Sequence, residues 1–463
     1  MADYLYVFPP IDITEYRMDS KQMMILQAPK QQIENRALGG QMYEINEISM
    51  EILFQFDGTK KYQDILDYFS EKYKECNNDV DIKIKNLLAP LVEQYGFEIK
   101  KQESPILHEI KIKKYHNIYP TVVSVELTDR CNLRCKHCYG DFCVENSDYI
   151  PKDKLVHIFK SMKDVGVVTV ELSGGDPSVY PYTAEAIELA FDAGIQAVML
   201  LTNGVSLNEN LIDTVVRHKD KMFVQIDVHS LDNEYFDWFT GSKGNLDHVK
   251  KNIDTLVSKG VQLKLASIIT PKNYHEILDI AEWSYQHGAK VFATSPVIDI
   301  GRAKSKLVNK DLIFTTMDEF EKYANLLEKV SKLYPGLMQV KTPEQLKKKN
   351  CGALTSMGSI KANGDFKLCT MDTGKYFNLN LGNILESSMK EIYDKNIDFL
   401  NGFMNLQLPK ESICGNCKYI FYCNSCSLRG FLKAQEMKEN CNWYNTCIPD
   451  IVKERFSVKE DTV

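Results

Sequence analysis

The stretch LTDRCNLRCKHCYGDF (127–142) decides the fold, because it places a CxxxCxxC array directly after an apolar, strand-like run, VVSVEL (122–127). The three cysteines of the array are Cys131, Cys135 and Cys138. Three thiolates leave the fourth iron of a [4Fe–4S] cube open to an external chelator, such as an amino and carboxylate pair. A zinc site is the alternative, because His137 or Cys143 could supply a fourth ligand.

Residues 119–310 alternate predicted strands with predicted helices, which is typical of parallel βα units. The six strand candidates are VVSVEL (122–127), VTVELSG (168–174), AVMLLTN (197–203), MFVQIDV (222–228), VQLKLASII (261–269) and KVFATSPV (290–297). This array predicts an α/β fold, a partial (β/α)6 barrel with its active site at the carboxyl ends of the strands. The polar or glycine-rich residues at those ends are Thr128, Asp129, Gly174, Gly175, Asp176, Thr202, Asn203, Gly204, Asp227, Ser267 and Ser295.

The composition is that of an ordinary globular chain, since 44% of the 463 residues are hydrophobic and 26% are charged. A net charge of −7 argues against a protein that binds nucleic acid through its phosphates. No apolar run approaches the roughly 20 residues that span a bilayer. The N-terminus lacks the basic and apolar regions of a secretory signal, so we expect a cytoplasmic protein. In that reducing compartment the 13 cysteines predict metal sites rather than disulfides.

The central motif resembles the signature of the radical S-adenosylmethionine (SAM) superfamily. SGGDP (173–177) and LLTNG (200–204) also match the family, although Asp176 replaces the usual glutamate. IDVHS (226–230) stands for the family's Ser-Leu-Asp-Gly, and TGSKG (240–244) for its Arg-Gly-x-x-Gly, without the arginine. The resemblance implies a SAM-binding [4Fe–4S] cluster on the three cysteines. The SAM contacts that it implies are His137, Gly174, Gly175, Asp176, Thr202, Asn203, Asp227 and Ser267.

The tail, residues 351–463, holds cysteines in the order C-x12-G-x4-C, then CGNCKYIFYCNSC (414–426), then Cys441. This order resembles the SPASM domain of peptide-modifying radical SAM enzymes, although two residues separate the last pair where three are commoner. The resemblance implies two auxiliary [4Fe–4S] clusters. The first would use Cys351, Cys369 and Cys426, and the second Cys414, Cys417, Cys423 and Cys441. Two structural zinc ribbons are the alternative.

Three cysteines, Cys76, Cys143 and Cys447, have no place in these sets. The first auxiliary set has three thiols, and Cys447 is its only nearby spare in the sequence. We therefore expect an iron that is open to a substrate thiol, which metal coordination would deprotonate.

The head, residues 1–105, alternates strand-like runs with three helices, which predicts a winged-helix-like domain. Residues 106–118 read as a linker, and residues 311–350 as a bridging helical segment. The head has a net charge of −6, opposite to that of a DNA-binding winged helix. YEINEISMEILFQFDGTKKYQDILDYF (43–69) resembles the PqqD-like precursor-recognition domain of ribosomal peptide maturases. The resemblance implies a leader peptide added as a strand near Gln41–Asn46, beside a helix near Ile82–Glu93.

Together the resemblances imply a radical SAM maturase of the sactipeptide or ranthipeptide type, which forms thioether bonds in a ribosomally made precursor peptide. A flavodoxin- or ferredoxin-type reductant would supply the electron that yields a 5′-deoxyadenosyl radical from SAM. One alternative is another radical outcome on a peptide, a carbon–carbon crosslink or a side-chain oxidation. The other is a non-enzymatic iron–sulfur or zinc regulatory protein.

Overall fold

The computed structural model describes residues 4–8, 13–18, 21–26, 41–43, 47–95, 97–108, 112–115, 119–304, 311–338, 351–424 and 426–456. The chain divides into two compact units, residues 1–118 (unit 1) and residues 119–463 (unit 2). The predicted head and linker fall in unit 1, and the predicted barrel and tail fall in unit 2. No helix in the described ranges is long and apolar enough to cross a membrane.

Unit 1 contains seven strands in its described ranges. They are β1 (Tyr4–Phe8), β2 (Ile13–Met18), β3 (Lys21–Leu26), β4 (Gln41–Tyr43), β5 (Asp57–Lys61), β6 (Glu98–Gln102) and β7 (Ile112–Tyr115). An antiparallel sheet has the order β5–β1–β6, and a second sheet has the order β4–β3–β2–β7. In the second sheet β2, β3 and β4 are antiparallel, whereas β7 runs parallel to β2.

Three helices build the core of unit 1: α1 (Glu47–Gln55), α2 (Tyr62–Tyr73) and α3 (Asn77–Tyr95). Helix α2 buries Ile65, Leu66 and Phe69, which lie on one face at helical spacing. These side chains pack with Phe56 and Leu91 in one cluster. The helical periodicity predicted for the head is therefore present.

The predicted linker, residues 106–118, needs one correction, because it contains strand β7. The pattern IKKY has no clear alternation of apolar and polar residues. Its strand character comes from pairing with β2, which lies far away in the sequence. Local periodicity cannot reveal a partner of that kind.

Unit 2 is built on a seven-stranded parallel sheet of order β13–β12–β11–β10–β9–β8–β14. Its strands are β8 (Val122–Thr128), β9 (Thr169–Gly174), β10 (Ala197–Thr202), β11 (Met222–Asp227), β12 (Leu263–Ile269), β13 (Val291–Pro296) and β14 (Met357–Ile360). The first six match the predicted strands, so the α/β partial barrel is confirmed. The seventh comes from the tail and pairs with β8, which the sequence did not indicate.

Helices follow the barrel strands as the predicted βα units require. They are α4 (Leu155–Asp164), α5 (Thr183–Asp192), α6 (Glu209–Arg217), α7 (Asn233–Thr240), α8 (Leu246–Ser258), α9 (Ile277–Gln286) and α10 (Met317–Leu333). Helix α4 shows why they form, since its buried residues Leu155, Ile158, Phe159 and Met162 share one face. Helix α10 lies in the predicted bridging segment, whose residues 339–350 are outside the described ranges.

The tail contains short helices joined by turns. They are α11 (Met389–Lys395), α12 (Ile397–Met404), α13 (Glu411–Cys414), α14 (Ile420–Cys423), α15 (Ser427–Met437), α16 (Asn442–Cys447) and α17 (Asp450–Lys453). Four of them end at, or begin directly after, a cysteine that the sequence assigns to the auxiliary clusters: α13, α14, α15 and α16. The helix ends therefore position these thiols.

Candidate active site

The three central cysteines lie together on the loop that follows β8. Cys131 packs with Leu133 and Phe142, and Cys135 and Cys138 contact the same apolar cluster. Burial raises the pKa of the Cys131 thiol to about 12. Burial, then the neighbouring Cys131 and Cys138 thiolates, also raise the pKa of Cys135. Free thiols would stay protonated here, so the set suits a bound cationic centre, which favours thiolates.

The two glycines of SGGDP pack directly against this loop. Gly174 has φ +127°, and a Cβ there would lie 2.1 Å from the carbonyl oxygen of Thr128. A Cβ on Gly175 would lie 2.0 Å from the carbonyl oxygen of Arg130. The Gly175 N–H donates to Thr128 at 2.7 Å, and the Asp176 N–H donates to Arg130 at 2.9 Å. Only glycine permits this approach, so the segment fixes the start of the cysteine loop.

The Asp176 carboxylate joins the ends of β9 and β10. It is 1% exposed and accepts hydrogen bonds from the Thr202 hydroxyl at 3.0 Å and the Asn203 N–H at 2.6 Å. The Asn203 amide donates to Asn132 Oδ1 at 2.7 Å and lies 3.9 Å from Cys131 Sγ. The structure therefore brings Asp176, Thr202 and Asn203 beside the cysteine loop. Their contacts with SAM remain a prediction.

His137 lies in an aromatic cluster with His229 and Phe239. Its ring stacks on Phe239 at 4.5 Å and meets His229 edge-on at 4.9 Å. Burial lowers the pKa of His229 to about 3, and burial, with smaller effects from His229 and Arg302, lowers the pKa of His137. Both rings are therefore neutral at physiological pH. Within the described ranges, His137 Nδ1 is buried and has no hydrogen-bond partner, so it could accept a bond from a ligand.

The TGSKG segment supports the loop through its backbone, although it lacks the family's arginine. The Arg134 N–H donates to the Thr240 carbonyl at 3.0 Å. Gly241 has φ +64°, and a Cβ there would lie 2.7 Å from the Arg134 carbonyl oxygen. Because the main chain makes this contact, it does not require the arginine side chain that the family motif has at position 240.

Asp227 and Ser267 lie on opposite faces of the sheet. Residues that are paired in register share a face, and successive residues alternate. Asp227 pairs with Ala266, so Ser267, the next residue, points the other way. Burial raises the pKa of Asp227 to about 7, whereas Ser267 is 0% exposed on the face away from Asp227. The structure thus does not bring these two predicted SAM contacts together.

Arg302, which the motifs did not indicate, holds the cysteine loop from the end of the last barrel strand. Its Nε donates to the Cys135 carbonyl at 2.8 Å, and its two terminal nitrogens donate to the Phe142 carbonyl at 2.9 and 3.0 Å. Its backbone N–H donates to the Cys138 carbonyl at 2.9 Å. A Cβ on Gly301 would lie 2.2 Å from the same Cys138 oxygen. The sequence shows Gly301 and Arg302 after β13, but they lie far in sequence from the cysteines, so no local pattern indicates the contact.

Four tail cysteines line one pocket. They are Cys414, Cys417, Cys423 and Cys441, the set that the sequence assigns to the second auxiliary cluster. Trp443, Pro409 and Gly430 also line this pocket. Four thiols around one pocket match the donor set of a [4Fe–4S] cube.

The other three tail cysteines also lie close to one another. Cys351 Sγ lies 3.2 Å from the hydroxyl of Ser427, the neighbour of Cys426. Burial, then Asp372 and Cys426, raise the pKa of Cys369 to about 12, so Cys369 and Cys426 interact. Cys351 is exposed. This set therefore has three thiols and one side that faces solvent.

Cys447 lies near Cys414, a member of the four-cysteine set. Burial raises the pKa of Cys414, and the thiolates of Cys417, Cys441 and Cys447 add to that effect. In the parts of the chain that the structure describes, no three Cys, His, Asp or Glu side chains converge as ligands of a single metal ion. The thiolates of a cube bind different irons, so a cube does not require such convergence.

Comparison with protein families agrees with this architecture. Residues 125–284 match the Radical SAM superfamily, and residues 351–418 match the SPASM family, an iron-sulfur cluster-binding domain. The first match covers the cysteine loop and most of the barrel. The second begins at Cys351 and contains the first four tail cysteines.

Two curated relatives resemble different lengths of the chain. The antilisterial bacteriocin subtilosin biosynthesis protein AlbA of Bacillus subtilis is 26% identical over 418 residues, 89% of this chain and 90% of AlbA. The AdoMet-dependent heme synthase of Methanosarcina barkeri is 23% identical over 337 residues, 67% of this chain and 92% of the synthase. The AlbA alignment is longer than residues 119–463, so it extends into unit 1.

Among solved structures, Streptococcus suis SuiB bound to its precursor peptide SuiA superposes with a TM-score of 0.61. The identity is 14%, and the match covers 97% of this chain and all of SuiB. This likeness shows the fold. The chain therefore carries a radical SAM partial barrel and a SPASM domain, which bind SAM and [4Fe–4S] clusters.

Proposed function

We propose that this protein is a radical SAM maturase that forms thioether bonds in a ribosomally made precursor peptide. The observation that carries the proposal is the alignment with AlbA, a bacteriocin biosynthesis protein, over 89% of the chain. The heme synthase alignment covers only 67% of the chain. The longer alignment therefore favours a peptide substrate over a porphyrin.

Three sets of thiols are the proposed cluster ligands. Cys131, Cys135 and Cys138 hold the SAM-binding cluster, and the tail sets hold the two auxiliary clusters. The chemistry that these groups supply when bound is one-electron cleavage of SAM, hydrogen abstraction from the substrate, and coordination of a thiolate. The loop contacts of Arg302 and Gly174 hold the central thiols in place, and burial excludes water from them.

The bond type rests on the three-cysteine tail set. Cys369 and Cys426 interact there, while Cys351 is exposed. Cys447, the only spare thiol nearby in sequence, lies beside Cys414 instead. A fourth position is therefore left for a thiol of the substrate, which coordination would deprotonate. Holding that sulfur near the reacting carbon turns a bimolecular coupling into a positioned one.

Unit 1 is the proposed leader-binding domain. Strand β4 ends the sheet β4–β3–β2–β7, so its outer side has no partner among the described strands. An extended peptide can pair with such an edge through main-chain hydrogen bonds. The predicted edge residues 44–46 lie outside the described ranges. The acidic head suits a leader peptide that carries lysines.

The proposed setting is the cytoplasm, with a flavodoxin- or ferredoxin-type protein as the electron donor. Thiols stay reduced in that compartment and remain available to bind iron. A reduced donor of this class can replace a chemical reductant in the assay below.

The test is reaction of the reconstituted holoenzyme with the product of a short Cys-rich reading frame beside its gene. We expect the peptide to lose two hydrogen atoms per crosslink and one alkylatable thiol per crosslink, as measured by mass spectrometry. Cleavage of SAM with every peptide thiol still alkylatable would contradict thioether formation. It would favour a carbon–carbon crosslink or a side-chain oxidation.

A further inference from the structure

A buried ion pair connects the tail to the barrel. Lys367 Nζ lies 2.5 Å from Glu126 Oε1, and the two side chains are 2% and 5% exposed. The Tyr139 hydroxyl donates to the same carboxylate oxygen at 3.0 Å. The Lys367 ammonium lies 4.9 Å from the centre of the Tyr139 ring. Removing two charges from water costs several kcal/mol per ion, and apolar replacements of buried pairs are often neutral or stabilising. Stability alone therefore does not explain this pair.

Tyr139 and Lys367, the two partners of Glu126, are each close in sequence to a proposed cluster ligand. Tyr139 directly follows Cys138, and Lys367 precedes Cys369 by two residues. Lys367 Nζ also donates to the carbonyl of Thr370, the residue after Cys369, at 3.2 Å. The ammonium group therefore lies alongside the chain segment that carries Cys369.

We propose that the Glu126–Lys367 pair sets the reduction potential of the first auxiliary cluster, with Lys367 as a positioning residue whose positive charge lies beside Cys369. This inference rests on the proposed function, because it requires a cluster on Cys369. A cluster gains negative charge when it is reduced, so a nearby cation stabilises the reduced form and a nearby carboxylate opposes it. In a buried site these effects are larger than in water.

The two charges have opposite effects, and each limits the other. Lys367 alone would make the cluster easier to reduce. Glu126 orients the ammonium group and offsets part of its field. The pair therefore holds the potential between the values that either charge alone would produce. Tyr139 adds a hydrogen bond to Glu126 without adding a charge.

The test is a redox titration of the reconstituted holoenzyme, followed by electron paramagnetic resonance of the auxiliary clusters. We expect Lys367→Met to shift one auxiliary potential to a more negative value and Glu126→Gln to shift it to a more positive value. The double variant should return towards the wild-type value. Tyr139→Phe, the neutral control, should produce the smallest shift. A purely structural role would not produce shifts of opposite sign.

Shifts of the same sign, or unmoved potentials with full iron content, would overturn this charge role. Glu126→Gln preserves the shape of the side chain. The shift that it causes in the auxiliary potential therefore tests the charge role even if Lys367→Met does not fold. Cys369→Ala separates this inference from the function that it rests on. A Cys369→Ala enzyme that keeps about 12 irons per chain, four for each of three cubes, would refute the ligand assignment itself.

Discussion

The two cysteine sets of the tail differ in the number of thiols that they contain. Cys414, Cys417, Cys423 and Cys441 line one pocket, and Cys447 lies near Cys414 as a fifth thiol. The other set has three thiols, of which Cys351 is exposed. A set of four thiols leaves no cluster iron free for a substrate, whereas a set of three does. We therefore propose that the two sets hold clusters with separate tasks.

The largest effect should come from the central loop, whose three cysteines are separate from both tail sets. Replacing Cys131, Cys135 and Cys138 together with Ala should reduce SAM cleavage to background, because no thiolate remains to hold that cluster. Iron should fall by about four atoms per chain, the content of one cube. Assays of 5′-deoxyadenosine and of iron measure both. Loss of all the iron would show that the tail sets depend on the central one.

The next effect separates the two tail sets. Cys369→Ala should lower crosslink yield by at least about a hundredfold, the scale of loss when a reacting group is misplaced. Hydrogen abstraction should continue, because the central loop is intact. The matched change, Cys417→Ala in the four-cysteine set, should lower the crosslink yield less. Equal losses in the two variants would contradict the proposal that only the three-cysteine set binds a substrate thiol.

Arg302→Lys tests how the central loop is held. Lysine keeps the charge but cannot donate to the Cys135 and Phe142 carbonyls together, as the guanidinium does. We expect the SAM cluster to lose iron about tenfold faster to a chelator, a change of about 1.4 kcal/mol. Asp141→Asn is the control, because it alters only the partly exposed ion pair with Arg302. An unchanged rate for Arg302→Lys would argue against the role of the loop contacts.

Most of the barrel could be predicted because its signals are local. Strand runs such as VVSVEL and cysteine spacings are visible within a few residues, and burial of α4 follows its own periodicity. The missed features depend on partners far away in the sequence. Strand β14 forms only against β8, and Lys367 meets Glu126 only in the folded chain. The face of Ser267 depends on strand register, which the motif does not contain.

A smaller effect is expected at the edge strand of unit 1. Tyr43→Pro removes a main-chain donor from β4, so precursor affinity should fall by up to about tenfold, the value of one hydrogen bond. Tyr43→Val keeps the donor and serves as the control. SAM cleavage without peptide should not change. Fluorescence anisotropy of a labelled precursor measures the affinity, and equal binding by the two variants would count against strand addition.

The smallest effect is expected for the spare thiol. Cys447→Ala should change activity and iron content by no more than about twofold, the usual range for a change outside core and site. The reason is that Cys447 lies beside a set that already has four ligands. Loss of a cluster in this variant would mean that the four-cysteine set needs Cys447 as a further ligand.

The central claim is that a substrate thiol occupies the open position of the three-cysteine set. Selenium K-edge absorption tests it most directly, on the holoenzyme with a precursor in which selenocysteine replaces the crosslinking cysteine, in the absence of SAM. We expect selenium to have an iron neighbour in the wild-type enzyme and to lose it in Cys369→Ala. A bound peptide whose selenium has no iron neighbour in the wild-type enzyme would contradict it.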